Sequence, residues 1–88
     1  MRIVFRKSFE QDLKKVKDQT ILAQVKQVIE ATETVASLRK VSGVKKLSRM
    51  SGFYRIRIGD YRIGLAVDKN KVEFVRCLHR RGSYRYFP

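Results

Sequence analysis

Cysteine is nearly absent from this chain. Cys77 stands alone among 88 residues, beside a single histidine, His79. One thiol cannot close an internal disulfide, and one cysteine with one histidine cannot assemble a zinc site. Neither a metal nor another cofactor is therefore expected. Acidic residues are scarce as well, with 8 Asp+Glu against 21 Lys+Arg, for a net charge of +13. Long apolar runs are missing: none approaches the ~20 residues of a membrane span. The opening Met1-Arg-Ile-Val-Phe-Arg6 lacks the apolar core of a secretory signal. These absences argue against a disulfide scaffold, a cysteine metal centre and a membrane-spanning protein, and they lead to the expectation of a cytoplasmic chain.

What is present is a core and a large positive charge. A hydrophobic content of 43% excludes a disordered polyelectrolyte. Residues 1–88 are expected to form one domain. At this size folding buries roughly 60–65% of the extended chain's surface, enough for one modest core. A charge of +13 implies a polyanionic partner. Nucleic acid is the first candidate. An anionic membrane surface, or an acidic protein that masks the charge, is the alternative.

The most informative stretch runs from Phe53 to Leu65. Two alternating runs flank Gly59-Asp60, and glycine in the first central position suits a type II′ hairpin turn. That turn sets Ile58 opposite Tyr61, Arg57 opposite Arg62, Ile56 opposite Ile63, Arg55 opposite Gly64 and Tyr54 opposite Leu65. One face then carries Tyr54, Ile56, Ile58, Tyr61, Ile63 and Leu65, which is a core face. The other carries Arg55, Arg57 and Arg62 around a gap at Gly64. Like charges placed opposite one another destabilise a sheet, so arginines stacked there point to an anionic ligand. A solvated basic face is the bland alternative.

The rest of the chain supplies a back for this hairpin. Residues 2–6 read as a short strand. Ser8 with Gln11 three positions on reads as a capping box opening a helix, whose apolar stripe is Phe9, Leu13 and Val16. Asp18 reads as the N-cap of a second helix, roughly 19–35, with the stripe Ile21, Val25, Val28, Ile29 and Thr32. A connector of low periodicity follows, carrying Arg39, Lys40, Lys45, Lys46 and Arg49, with Leu38, Val44 and Leu47 expected to tack it to the core. Asp68-Lys-Asn-Lys71 is a turn in which Asn70 is expected to take the positive φ. A third long strand runs from Val72 to about Leu78. Simple alternation places Val72, Phe74 and Leu78 on the core face and Val75, Cys77 and His79 on the arginine face. It also puts Arg76 on the core side, which demands either an edge position or a slip of register. The tail, with Tyr84, Tyr86 and Phe87, is expected to curl back over the sheet. The predicted fold is α+β: an N-terminal strand, then a helical hairpin packed on one face of a small antiparallel sheet of about four strands, β-α-α-β-β-β.

The run Lys46-Leu47-x-x-Met50-x-Gly52-x-Tyr54-Arg55-Ile56-Arg57-x-Gly59-Asp60-Tyr61-Arg62-Ile63, with Arg76 to Arg80 and Tyr86, resembles the RelE/ParE superfamily of bacterial toxins. The resemblance covers the whole chain. It is closest to the RelE-type, ribosome-dependent mRNA endoribonucleases of type II toxin–antitoxin modules. It implies a metal-independent nuclease that inhibits translation. Arg55 and Arg57 match its two basic residues on the strand before the turn, Arg62 its Tyr-Arg arginine, and Arg80, with Arg81 as neighbour, its arginine after the last strand. Tyr86 matches its C-terminal tyrosine, with Tyr84 as the second choice. The implied partners are an acidic antitoxin protein in a hetero-oligomer, and mRNA on the ribosome with contacts to 16S rRNA. A ParE-like inhibitor of DNA gyrase shares the fold, and a non-catalytic module that binds RNA or antitoxin is the third reading.

RNA is cut without metal when its own 2′-hydroxyl attacks the adjacent phosphate. Arg62 and Arg80 suit the scissile phosphate, since guanidinium forks match phosphate oxygens. Arg55 and Arg57 hold flanking charge. Some superfamily members carry lysines there, and arginine is the poorer general base. Tyr86 stacks on a base, moves a proton, or acts only as a lid with Phe87. His79 alone has an ordinary pKa near neutrality, so it is the acid/base choice on chemistry. Lys14, Lys15 and Lys17 form a solvated helix face or contact rRNA phosphates, as Lys45, Lys46, Arg49, Arg81 and Arg85 could. Tyr54, Tyr61 and Cys77 read as packing residues.

Overall fold

The Gly59-Asp60 turn forms, and it sets the register that the alternation predicts. The computed structural model describes residues 1–34, 41, 43–47, 52–82 and 87. Strands β3 (Phe53–Ile58) and β4 (Tyr61–Asp68) pair with Tyr54 opposite Leu65, Arg55 opposite Gly64, Ile56 opposite Ile63, Arg57 opposite Arg62 and Ile58 opposite Tyr61. Gly59 carries the positive φ, 55°, that the first central position of a II′ turn requires. In the next turn that role falls to Lys69 (φ 54°) and not to Asn70. Both turns place the left-handed residue at the same position, directly after the outgoing strand.

Three more strands complete the sheet: β1 (Arg2–Phe5), β2 (Val44–Lys46) and β5 (Lys71–His79), in the order β1-β5-β4-β3-β2. The sheet therefore has five strands where about four were expected, and it is mixed, because β1 runs parallel to β5. The added strand, β2, lies in the basic connector and pairs Lys45 with Arg55 and Lys46 with Tyr54. Three residues are too few to display an alternation. Nor does local pattern reveal that a short N-terminal strand will pair in parallel with residues some 70 positions away.

Helices α1 (Lys7–Lys15) and α2 (Gln19–Thr34) cover one face. Asp18 caps α2 as expected: its Oδ1 accepts the Thr20 N–H at 2.9 Å and the Ile21 N–H at 3.4 Å. Ser8 does not cap α1. The cap position is Arg6, which makes no side-chain cap bond, and Ser8 sits in the first turn. The Phe9, Ile21 and Val25 side chains press onto Ile56, Ile63, Leu65, Val72 and Phe74, all buried. The Phe5, Phe9 and Phe74 rings meet at centroid distances of 5.3–5.9 Å. Thr32 is fully buried in this layer because its hydroxyl donates to the Val28 carbonyl one turn back, at 2.7 Å. Val44, Tyr54 and Tyr61 pack against the same core. Leu38 lies outside the described residues.

The awkward parity of Arg76 has a structural cause. Phe74 pairs with Leu65 but Arg76 pairs with Gly64, so Val75 is the extra residue of a β-bulge. The bulge lies where β1 has just left β5. Phe5 is the last β1 residue paired, opposite Phe74, and the Arg6 N–H closes on the Phe74 carbonyl at 3.0 Å. From there α1 lines the outer edge of β5. Ser8 Oγ donates to the Val75 carbonyl at 2.5 Å, and Asp12 Oδ2 accepts the Cys77 N–H at 3.0 Å. Asp12 also receives Arg76, Nε at 2.7 Å and Nη2 at 3.0 Å. A buried carboxylate is thus satisfied three ways while it blunts a strand edge. The hydroxyl of Ser8 serves the strand, which is why it is not spent on its own helix.

Candidate nucleic-acid interface

The sheet face away from the helices is where the basic side chains gather. Register puts Lys45, Arg55 and Gly64 in one row across β2, β3 and β4, with Arg57 and Arg62 in the next. Lys45 joins this face through β2, a strand the sequence does not announce. Arg55 and Arg62 are half-buried and Arg57 is exposed. Arg62 turns along the hairpin, its Nη1 donating to the Gly59 and Tyr61 carbonyls at 2.9 Å each. Arg80 follows β5, where the backbone turns helical over 80–82. Its N–H donates to the Asp60 carbonyl at 2.7 Å, and its Nε lies 3.9 Å from Asp60 Oδ1. Both partners of that ion pair are well exposed, so it is a weak tie. Arg62 from β4 and Arg80 from just beyond β5 are thus both anchored on the Gly59-Asp60 turn.

The gap at Gly64 is filled. Phe87 lies over it, close enough that a Cβ on Gly64 would meet three ring carbons at 2.6–2.7 Å. The same ring meets Phe53 edge-on, with centroids 5.8 Å apart. The tail therefore does return to the sheet, as expected, and its described contact is Phe87. Tyr86, Tyr84 and Arg85 lie outside the described residues, as do Arg49 and Met50.

His79 is not on the arginine face. The bulge at Val75 advances the alternation by one, so His79 pairs with Tyr61 and Cys77 with Ile63, both on the helix-covered side. Leu78 moves the opposite way, into the row of Arg62. The His79 and Tyr61 rings meet edge to face at 5.5 Å, and His79 Nδ1 accepts the Arg81 N–H at 3.3 Å. His79 opens instead on a cleft of about 450 Å³, shared with Asp12, Lys15, Val16, Tyr61, Arg76, Cys77 and Leu78. Cys77 is buried, and desolvation, followed by the Asp12 charge, pushes its thiol up to about 11. It is a packing residue, far from thiolate reactivity at neutral pH.

Lys14 and Lys15 stand exposed in the last turn of α1, where cations complement the helix dipole, with Lys17 just beyond. Lys46 and Arg81 are exposed as well. Two acids are occupied in holding the fold. Asp12 holds Arg76, and Glu73 pairs with Arg6 at 2.6 Å and Lys71 at 3.2 Å, bonds that lower its pKa. Among the described residues no three His, Cys, Asp or Glu side chains come together to hold a metal, and no helix is long and apolar enough to cross a membrane.

A helical hairpin behind a five-stranded mixed sheet is the architecture of the RelE toxins. The family model for the ParE toxin of type II toxin–antitoxin systems, parDE, matches residues 3–84. The chain is 39% identical to toxin RelE3 of Methanocaldococcus jannaschii over 89 aligned residues, covering all of both chains. It superimposes on the crystal structure of a RelB–RelE antitoxin–toxin complex from Methanococcus jannaschii with a TM-score of 0.84 at 39% identity, over 97% of this chain and 99% of that one. The RelBE2 toxin–antitoxin complex of Mycobacterium tuberculosis matches with a TM-score of 0.70 at 28% identity, over 90% of this chain and 96% of that one. The chain belongs to the RelE/ParE family of type II toxin–antitoxin toxins.

Proposed function

We propose that this toxin is a metal-independent mRNA endoribonuclease that acts on the translating ribosome in the cytoplasm. The observation that carries this reading is that Arg62 and Arg80 are both anchored on the Gly59-Asp60 turn, with Arg62 sharing one open face with Arg57 and Arg55. In the proposed reaction the 2′-oxygen of the RNA attacks the adjacent phosphorus and the bond to the 5′-oxygen breaks. The 2′-hydroxyl gives up its proton and the leaving 5′-oxygen takes one. The products are a 2′,3′-cyclic phosphate and a 5′-hydroxyl. Arg62 and Arg80 clamp the phosphate as its negative charge grows, which is where cationic donors accelerate most. Arg55 and Arg57 hold the flanking phosphates.

Tyr86 stacks on a base or transfers a proton. His79, set on the other side of the sheet by the bulge, is no member of this clamp. Lys14, Lys15, Lys17, Lys45, Lys46, Arg49, Arg81 and Arg85 supply sequence-independent contacts to mRNA and 16S rRNA phosphates. Two of the relatives are toxins crystallised with antitoxins, in one case RelB. The matching partner here is a small acidic antitoxin in a hetero-oligomer, offsetting the +13 charge.

The test is primer extension on mRNA after brief induction. Cuts inside translated codons that vanish with Arg62→Ala support the reading. The match to the ParE model favours a second one, inhibition of DNA gyrase by binding. Intact mRNA together with a supercoiling defect would select it.

A further inference from the structure

Phe87 sits apart from the core that the helices cover. Its ring lies on the open face, over Gly64, in the row of Lys45 and Arg55. Contact is so close that no side chain fits beneath it: a Cβ on Gly64 would lie 2.6 Å from Cγ and 2.7 Å from Cδ1 and Cδ2. Phe53 closes one side of the seat edge-on, at 66° between ring planes. Arg57 and Arg62 form the row on the other side. A neutral ring is thus placed amid cations, on a bare patch of backbone that glycine keeps open.

A flat seat with an aromatic edge and cations around it is what single-stranded RNA sites offer a base. Gly64 lies two residues from Arg62 along β4, about 7 Å, a distance a nucleotide spans between its phosphate and its base. We propose that the Gly64 seat is a nucleobase-binding subsite, occupied in the free chain by the Phe87 ring, which a base of the bound RNA replaces. Ring is exchanged for ring, so the seat excludes water in both states. The base brings its own phosphate to the arginines, which Phe87 cannot do. The proposal rests on the RNA reading above and adds to it where a base next to the clamped phosphate is held.

The test measures binding of the full chain to a single-stranded RNA hexamer and to the same backbone with abasic riboses. Phe87→Ala is expected to bind the base-bearing hexamer about tenfold more tightly than the wild type, as when the ring leaves the seat open about one-tenth of the time, and the abasic one equally. Gly64→Ala made in the Phe87→Ala background, where the added Cβ meets no ring, should remove that gain. In the wild-type chain, Phe53 ring resonances should shift with adenosine 5′-monophosphate and stay put with ribose 5-phosphate. Weaker binding by Phe87→Ala, an equal gain for the abasic hexamer, or a gain that survives Gly64→Ala would overturn the proposal. Arg62→Ala separates the two levels. If it weakens binding while Phe87→Ala changes nothing, the seat alone fails. If the wild type binds neither hexamer, the RNA reading fails with it.

Discussion

Arg76 and Arg62 lie on neighbouring strands of one sheet and are held in opposite ways. Arg76 lays Nε and Nη2 on the carboxylate of Asp12, a buried acid that also takes the Cys77 N–H. Arg62 rests on the carbonyls of its own hairpin turn and faces Arg57 across the strand pair. The first arrangement closes charge within the fold. The second sets like charge against like charge on an open face, where each such pair works against folding. A chain breaks its own local rules chiefly where function demands it. Under the proposed function, the contrast separates a structural arginine, Arg76, from one proposed to hold the ligand, Arg62.

The largest expected effect comes from the arginine proposed to hold the ligand. Arg62→Ala should lower mRNA cleavage by about 10²–10³-fold, the usual loss of one donor to a charged transition state, while the melting temperature stays close to wild type. A collapse of the fold instead would place Arg62 with Arg76 as structural. On the other side, Asp12→Ala removes the carboxylate from Arg76 and the acceptor from the Cys77 N–H. Because Arg76 keeps some solvent contact, a destabilisation of about 2–4 kcal/mol is expected rather than the full cost of a sealed pair. Urea titration reads it directly, and an unchanged midpoint would sink the structural assignment.

Arg57→Ala should do two things in opposite directions. It relieves the charge facing Arg62, raising stability by about 0.2–1 kcal/mol. It also lowers the salt dependence of RNA binding by about 0.7 in log–log slope, as loss of one phosphate contact does. Loss of stability with an unaltered slope would contradict both expectations. The smallest effect belongs to Cys77. Its folded pKa is raised from 9.0 to about 11, so the buried thiol's contribution is complete below pH 9 and fades as pH rises toward 11. The melting temperature of the wild type should fall more steeply across that window than that of Cys77→Ala.

Much of the architecture is legible in the sequence, and the differences along β5 share one origin. The β3–β4 register follows from Gly59-Asp60 and strict alternation, both local signals. The second helix follows from Asp18 and a clear apolar stripe. The bulge at Val75 does not follow, because it depends on α1 standing at the edge of β5 to take up the Val75 carbonyl and the Cys77 N–H. Its one trace in the sequence is Arg76, whose parity is wrong for a regular strand. From that single slip came the placement of His79 and Cys77 on the arginine face. Ser8 departs from its local pattern for a related reason: its nearest use is a helix cap, its actual partner a strand 67 residues on. Of the candidate site, the hairpin arginines were legible by local pattern. The place of Lys45 beside them was not, since it depends on a three-residue strand.

The seam between α1 and β5 also bears on how the chain is made. Arg2 pairs with Lys71, Arg6 with Glu73, Ser8 with Val75 and Asp12 with Arg76. Residues 2–12 thus find their partners only when β5, more than 60 residues further on, has been synthesised. Such long loop closures are slow, and the contacts that tie the sheet together are unavailable to a shorter chain. During its own synthesis the polypeptide can form its two hairpins, one helical and one of strands, but not the sheet that joins them. A growing chain of this kind cannot set Arg80 on the Gly59-Asp60 turn until β5 has been made.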